Sequence, residues 1–297
     1  MINQYKVLKK LGKGAFATIK LCQDQKTKNR YAVKIMNKAM LKSRKAGEGK
    51  TAYDCVLEEL QVLQRLEHPN IIWLYEIIND EQKPDIYLVT EYHSRGSIGD
   101  MIKHKKRGLM LSTARLYFID MLRALYYCHK VIKVIHRDIK PDNIMISCYN
   151  VAVLIDFGVS ALVDQRDDDL LSDKLGSYLF FAPEMFQDKK SENVKIRGEK
   201  TDIWALGVTL FYMITGQYPS GKITDLMELG QHIKYGEIDF SIIKNAQARE
   251  VLEMMLEKNA DKRASLDEIA QTNWVTISGK EKVDITKVEH DQIDKNG

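Results

Sequence analysis

The chain has 297 residues, which is longer than one ordinary domain and suits either two lobes or one large domain. Hydrophobic residues make up 44% of it, charged residues make up 29%, and the formal net charge is only +4. This composition argues against nucleic-acid and membrane partners. The four cysteines lie far apart without a CxxC pair, which argues against a disulfide framework and against a zinc cluster.

No targeting or membrane-spanning segment is expected. The first residues, MINQYKVLKK, lack the apolar core of a signal peptide. No apolar run reaches the roughly 18 residues that a membrane-spanning helix requires. The sequence therefore predicts a cytoplasmic, reduced protein.

The first third of the chain is rich in predicted strands. Residues 17–22 and 31–36 alternate between apolar and polar side chains, and the polar turn between them predicts an antiparallel hairpin. In 31–36 the alternation places Ala32 and Lys34 on one face. Residues 52–66 change to apolar positions every three or four residues, which predicts a helix that ends before HPN. Two further strands are predicted at the end of this third, over 71–78 and 86–92.

Helical patterns dominate from about residue 97 onwards. The longest covers 113–130, and short apolar runs at 144–147 and 151–155 flank a turn. Further helices are predicted over 201–215, roughly 224–235, 246–257 and 266–271, the last with Ser265 and Glu268 in capping-box spacing. A strand-rich first third and a helical remainder predict an α+β protein of two unequal lobes.

Residues 11–19 read LGKGAFATI and place Gly12 and Gly14 between two strands. Glycines let a backbone turn sharply and approach a phosphate closely, but they are also common in ordinary hairpin turns. This pattern alone leaves both interpretations open. The following segment is a strand and lacks G-K-[ST], which disfavours a dinucleotide-binding fold and a P-loop.

Lys34 interrupts an otherwise apolar strand. A lysine there commonly covers apolar surface with its stem, whereas a functional lysine needs a carboxylate partner. The helix at 52–66 offers Glu58 and Glu59, which point about 100° apart, so only one can face inward. Glu59 flanks the apolar face and is the predicted partner.

Residues 134–147 read VIHRDIKPDNIMIS and concentrate charged and polar side chains between two apolar segments. Asp156 follows the apolar run at 151–155 and is expected to emerge at the end of a strand. Asn143 and Asp156 are two oxygen ligands from different segments, which suits Mg²⁺. Asp138 then remains to accept a proton from an attacking hydroxyl. Each motif alone is also compatible with a structural role.

Taken together, residues 5 to about 275 resemble the catalytic domain of the eukaryotic protein kinases. The motifs are LGKGAFATI, YAVKI, HRDIKPDN, DFG and APE (182–184). Arg263 resembles the arginine that pairs with Glu184 in this family. DFGVS, LLSDKLGSYLFFAPEMF and NADKRAS are similar to the calcium/calmodulin-dependent protein kinase kinases, which phosphorylate a threonine in the activation loop of other kinases.

The resemblance implies a bilobal protein-kinase fold, with a small antiparallel sheet and one main helix in an N-lobe (1–92). A larger helical C-lobe (93–275) and a charged tail (276–297) would follow. The adenine edge would bond to the Glu91 carbonyl and the His93 amide, with Thr90 beside it. The positions implied to bind ATP are Leu11, Gly12, Lys13, Gly14, Ala15, Phe16, Ala17, Ile19, Ala32, Lys34, Glu91, His93 and Met145.

The resemblance also implies the catalytic roles. Lys34, held by Glu59, would touch the α- and β-phosphates of ATP, and Asn143 and Asp156 would hold Mg²⁺. Asp138 would be the catalytic base, and Lys140 would steady the γ-phosphate and the acceptor hydroxyl.

The implied activity is Ser/Thr phosphorylation of protein substrates by a monomer, and the resemblance implies that other kinases are among these substrates. The alternative is a catalytically inactive, nucleotide-binding pseudokinase scaffold. A small-molecule kinase is disfavoured, because HRDIKPDN occurs together with APE and Arg263.

Several positions depart from the family pattern. Ser97 stands where many kinases carry a glutamate that binds basic substrate residues. Residues 37–52 are basic but contain no proline, and a solvated lysine-rich loop is expected there. The tail over 279–297 is neither basic nor amphipathic, so it does not support binding of calmodulin.

The activation segment also departs from the pattern, because Lys174 stands where a phosphorylated threonine is expected. This predicts a loop that is ordered without phosphorylation, with Asp173 as a fixed carboxylate. Phosphorylation of Ser172 is the alternative switch. Ser177 resembles the residue that contacts the catalytic loop.

Overall fold

The computed structural model describes residues 2–14, 17–47, 49–157, 177–186 and 197–288. These residues divide into two units. The first unit contains the described residues up to Ser94, and the second contains those from Arg95 to 288. The predicted α+β class is confirmed, because the first unit contains a five-stranded antiparallel sheet and the second is mostly helical.

The sheet of the first unit consists of β1 (Tyr5–Lys13), β2 (Ala17–Asp24), β3 (Arg30–Asn37), β6 (Leu74–Ile78) and β7 (Asp85–Glu91). Its strand order is β1-β2-β3-β7-β6, and every neighbouring pair is antiparallel. The predicted hairpin is therefore confirmed as β2 and β3. The strand predicted from residue 71 starts only at Leu74. Ile71 and Ile72, which precede it, are buried.

The two faces of the sheet differ in chemistry. One face packs into an apolar cluster that consists of Ile2, Tyr5, Cys22, Val33, Ile78 and Val89. Lys34 pairs with Ile19 across the ladder, and Ala32 lies two residues away on the same strand, so these three side chains share the opposite face. The predicted alternation of β3 is thereby confirmed.

The loop predicted over 37–52 is wrong, although most of the described residues in this segment are exposed, as predicted. This segment forms a short helix, α1 (Lys38–Ser43), and a two-stranded pair of β4 (Lys45–Gly47) and β5 (Lys50–Thr51). Leu41 is fully buried, and Lys38 is buried and donates a hydrogen bond to the Asp80 carbonyl. The lysine stem thus covers apolar surface while its ammonium group is bonded.

The main helix of the first unit is α2 (Ala52–Leu63), which begins at a capping box between Thr51 and Asp54. Its buried side is formed by Ala52, Val56, Leu60 and Leu63, as the periodicity predicts. The helix ends three residues earlier than expected, although Leu66 is still buried in the following turn.

The second unit is built around two long helices, α4 (Leu111–Tyr126) and α5 (Gly198–Thr215). Every side chain of α5 from Thr201 to Met213 is buried, so this helix forms the centre of the core. The other helices of the described residues are α3 (Ile98–Lys105), α6 (Leu226–Tyr235), α7 (Ala246–Met255), α8 (Leu266–Ala270) and α9 (Asn273–Thr276). The predicted capping box of Ser265 and Glu268 is present.

Shorter elements complete the second unit. A π-helix (Tyr127–Ile132) continues α4, and a small hairpin consists of β8 (Ile144–Ile146) and β9 (Ala152–Leu154). Single 3-10 turns cover Pro141–Asn143, Pro183–Phe186 and Phe240–Ile242. Within the described part of the chain, no helix meets the length and hydrophobicity of a membrane span.

The described part of the predicted tail packs against α4. Arg115 forms an ion pair with Glu281, and Ile285 is only 5% exposed. Residues 276–288 therefore belong to the second unit structurally, although their composition is charged.

Candidate active site

The glycine loop connects β1 and β2. Gly12 pairs with Ile19, Lys13 pairs with Thr18, and the Gly14 amide donates to the Ala17 carbonyl at 2.8 Å. Leu11 is 38% exposed near the end of β1. Ala15 and Phe16, which were predicted to bind ATP, lie outside the described residues.

Residues predicted to surround the adenine lie on and after β7. The Thr90 hydroxyl donates to the Ala32 carbonyl at 3.3 Å. The Glu91 carboxylate accepts a hydrogen bond from the Trp73 amide at 3.0 Å and lies 3.4 Å from Nε2 of the buried His93. These contacts fix the chain where the backbone groups of Glu91 and His93 are predicted to bond to the nucleotide.

The two glutamates of α2 have different surroundings. Glu58 is exposed and forms an ion pair with Lys50 at 2.7 Å, whereas Glu59 is half-buried. Lys34 is also half-buried on its sheet face. Since Glu58 already has a cationic partner on the solvent side, this arrangement favours Glu59 as the partner of Lys34, and that pairing stays a prediction.

In the second unit, the carboxylate of Asp138 is held by two neighbours in the same loop. Lys140 Nζ lies 2.9 and 2.7 Å from its two oxygens, and Asn143 Nδ2 donates to Oδ2 at 2.7 Å and to the Asp138 carbonyl at 2.9 Å. The Asp138 side chain is 16% exposed, so it is oriented by the protein and still reachable. Lys140 Nζ also lies 3.4 Å from the Ser177 hydroxyl, as predicted for Ser177.

The loop is held on its buried side by Asp202, which lies in the first turns of α5 and is 1% exposed. Its carboxylate accepts hydrogen bonds from the backbone amides of His136 and Arg137 at 2.9 Å each. His129 Nε2 lies 2.8 Å from the same carboxylate. Sequence reasoning missed Asp202 and His129, although an aspartate inside an otherwise apolar helix is a signal that would have drawn attention to Asp202.

His136 links the catalytic loop to the segment that carries Asp156. Its Nε2 bonds to the Ile155 carbonyl at 3.0 Å, and its Nδ1 accepts from the Asp138 amide at 3.2 Å. Complete burial lowers the pKa of His136, with the nearby carboxylates of Asp202 and Asp138 opposing that shift. The ring is therefore neutral near pH 7, with its proton on Nε2.

Asp156 follows β9, as predicted, and adopts a left-handed backbone conformation with a φ of 58°. Such a conformation is uncommon for a residue other than glycine. In the same unit, Met145 lies in β8 and pairs with Ser97 through an isolated β-bridge.

The donor atoms fit a magnesium ion that also binds substrate phosphates. Both hydrogen bonds of the Asn143 amide nitrogen go to Asp138, so the amide oxygen is the atom that can bind a cation. The second predicted oxygen donor is the carboxylate of Asp156. No cluster of three or more His, Cys, Asp or Glu residues suited to a metal occurs in the described ranges. Two oxygen ligands are typical for Mg²⁺, which keeps water and phosphate oxygens in its other positions.

Glu184 and Arg263 form the predicted ion pair. The contact is bidentate at 2.8 and 2.9 Å, and the two side chains are 7% and 0% exposed. The guanidinium group also donates to the Lys200 carbonyl and lies 5.0 Å from the centre of the Trp204 ring. The pair ties the end of the APE motif to α5.

The predictions for Ser172, Asp173 and Lys174 lie outside the described residues, so they stay predictions.

Comparison with known proteins identifies the fold family. The model of the protein kinase domain family matches residues 5–275. The chain belongs to the protein kinase family. The similarity to kinases inferred from the motifs is confirmed at that level, and the more specific similarity to the calcium/calmodulin-dependent protein kinase kinases is not.

Relatives of this kinase domain are named as protein kinases. It is 37% identical to a probable serine/threonine-protein kinase of Dictyostelium discoideum, over 94% of this chain and 39% of that protein. It is 31% identical to CBL-interacting protein kinase 32 of Oryza sativa subsp. japonica, over 92% of this chain and 59% of that protein. A serine/threonine-protein kinase of Schizosaccharomyces pombe is 30% identical over 94% of this chain and 85% of its own length. The chain thus spans about two fifths of the length of the first relative and about three fifths of the length of the second.

Proposed function

We propose that this chain is an active serine/threonine protein kinase that transfers the γ-phosphoryl group of Mg·ATP to hydroxyl groups of protein substrates. The observation that carries the proposal is the Asp138 carboxylate, which Lys140 and Asn143 hold in one orientation, while the same Lys140 ammonium lies 3.4 Å from the Ser177 hydroxyl. The buried Asp202 beneath the loop keeps this arrangement rigid. Phosphoryl transfer depends mainly on such positioning and on neutralisation of charge.

In the proposed reaction, the oxygen of the substrate hydroxyl forms a bond to the γ-phosphorus, and Asp138 accepts the proton that this hydroxyl loses. The bond between this phosphorus and the bridging oxygen of ATP breaks, and ADP is the leaving group. Lys140 is suited to steady the transferred group, and Lys34 to bind the α- and β-phosphates. A magnesium ion on Asn143 and Asp156 would supply neutralisation of phosphate charge.

A finer proposal concerns the substrates. The similarity of DFGVS, LLSDKLGSYLFFAPEMF and NADKRAS to the calcium/calmodulin-dependent protein kinase kinases supports a role as an upstream kinase that acts on activation loops. A monomeric state and a cytoplasmic location stay predictions.

The competing function is a pseudokinase that binds nucleotide without transferring phosphate. Pseudokinases usually lack the phosphate-binding lysine, the base or the metal ligands, and this chain has Lys34, Asp138, Asn143 and Asp156. That complete set favours activity.

The test is incubation of the purified chain with Mg·ATP and a mixed peptide library, followed by identification of the phosphorylated residue type. Phosphoserine and phosphothreonine are expected, with turnover of roughly 1–100 per second on a good substrate. Mainly phosphotyrosine would contradict the proposed acceptor. Nucleotide binding without any transfer would instead support the pseudokinase.

A second experiment tests the partner of Lys34. Glu59→Gln should lower kcat/KM by roughly 10- to 100-fold, because an unpaired lysine misplaces the phosphates. Glu58→Gln is the matched control one position away, and it should leave kcat/KM nearly unchanged since Glu58 pairs with Lys50 at the surface. If the control variant lost activity and Glu59→Gln kept it, the assignment would be reversed.

A further inference from the structure

The end of α3 carries an exposed basic run that the proposed chemistry does not use. Residues 103–107 read KHKKR, and all five side chains are exposed. We call these five residues the α3 basic run. Cations in the last turn of a helix are favoured by the helix dipole, which accounts for Lys103 and Lys105. Lys106 and Arg107 lie beyond the helix, where this effect fades.

Acidic groups near the run are already engaged. Asp100 caps the first turn of α3 through Ser97, and Asp142 pairs with Lys103 at 2.8 Å. The Asp142 contact raises the pKa of Lys103, so this lysine is fully charged at neutral pH. Among the residues that the structure describes, the other four members of the run form no ion pair. Neighbouring like charges repel each other, so such a run lowers stability unless an anion binds to it.

The run is held rigidly at its far end. Lys106 closes α3 in a left-handed conformation, and its amide bonds to the Ile102 carbonyl at 2.9 Å. The Leu109 amide donates to the Met213 carbonyl at 2.7 Å. Gly108 has no room for a side chain, because the backbone of Ile214 at the end of α5 lies against it. The positive charges are therefore presented on a fixed surface.

The same surface is connected to the catalytic loop at two points. Lys103 binds Asp142, which is four positions after Asp138 in that loop. At the other end of α3, a Cβ on Gly99 would come within 2.8 Å of an Asp142 oxygen, so the helix packs directly on the loop. The first residue of the α3 basic run thus contacts the loop that carries Asp138, and the chain beyond the run packs against the end of α5.

We propose that the α3 basic run selects acidic protein substrates, with Asp or Glu side chains several residues from the phosphorylated hydroxyl. This inference rests on the proposed kinase activity and adds a substrate class to it. A protein segment is favoured over single-stranded nucleic acid, because the run contains no aromatic residue on which a base could stack.

The experiment compares three peptides that share one serine acceptor and carry flanking Glu, Gln or Lys residues. The wild-type chain should show a KM roughly tenfold lower for the Glu peptide than for the Gln peptide, with similar kcat and a smaller difference at high salt. The double variant Lys105→Glu/Arg107→Glu should lose this preference and favour the Lys peptide. A matched control is Lys262→Glu/Lys280→Glu, which makes the same charge change at two other exposed lysines of the second unit and should behave as wild type.

Equal KM values for the three peptides would overturn the inference and leave the kinase activity standing. The inference would also be overturned if the control variant lost its preference for the Glu peptide to the same extent, because the effect would then depend on the net charge of the protein and not on the α3 basic run. If no peptide is phosphorylated, the proposed kinase activity is contradicted. A separate binding assay then tests whether the α3 basic run binds acidic peptides. That assay measures fluorescence anisotropy of a labelled Glu peptide with alanine at the acceptor, and binding must weaken in the Lys105→Glu/Arg107→Glu variant. A different outcome is that the chain binds short single-stranded RNA or phosphatidylserine vesicles more tightly than the Glu peptide. If that binding were lost in the Lys105→Glu/Arg107→Glu variant, the proposed acidic protein partner would be wrong.

Discussion

Asp138→Asn is expected to lower the rate of phosphoryl transfer by roughly 10²–10⁴-fold, the usual cost of losing a general base. The substitution keeps the shape of the side chain and one oxygen that accepts from Lys140, but it removes the group that takes the proton. Nucleotide affinity and thermal stability should stay close to wild type, because asparagine has the size of aspartate and the side chain at this position is 16% exposed and outside the apolar core. The measurements are steady-state kinetics, nucleotide binding and thermal unfolding.

The control for Asp138→Asn is Asp261→Asn, which removes a carboxylate whose only ion pair among the described residues is with Arg197 at the surface. It should keep full activity. If Asp138→Asn also kept full activity, Asp138 would not be the base. If it instead unfolded the protein, the carboxylate would be a structural group in the loop.

Arg263→Met is expected to give the largest loss of stability, roughly 3–5 kcal/mol in the free energy of unfolding. The reason is that Glu184, which is 7% exposed, would be left as a buried carboxylate without its counter-charge. The hydrogen bonds from Arg263 to the Glu257 and Lys200 carbonyls would be lost as well. Chemical denaturation of the purified variants measures the effect.

A matched surface pair shows whether burial is the cause. Lys130 and Glu199 lie at the same distance of 2.8 Å but are 38% and 44% exposed, so Lys130→Met should cost only about 0–1 kcal/mol. The double variant Arg263→Met/Glu184→Gln should be more stable than Arg263→Met alone, because the buried charge is then absent. Equal losses for Arg263→Met and Lys130→Met would contradict this account.

The sequence alone determined the features that depend on local periodicity and on residue chemistry. Alternation in β3 placed Ala32 and Lys34 on one face, because side chains of a strand point to opposite sides in turn. The concentration of polar groups in 134–147 located the loop in which Lys140 and Asn143 hold Asp138, and its catalytic role stays a prediction. These contacts join residues only two and five positions apart, so their spacing was visible in the chain.

Only the tertiary structure decided the contacts between distant segments. Asp202 supports the catalytic loop from a helix that follows it by more than sixty positions, and no local pattern identifies which loop a buried carboxylate will bind. The basic segment at 37–52 was wrongly expected to be a loop, because its composition does not reveal that Leu41 is buried and that Lys38 bonds to the Asp80 carbonyl. The ion pair between Lys103 and Asp142 also joins two separate segments, so local spacing did not reveal it either. Local patterns indicate which side chains point together, whereas the partner of each polar group depends on which segments pack against each other.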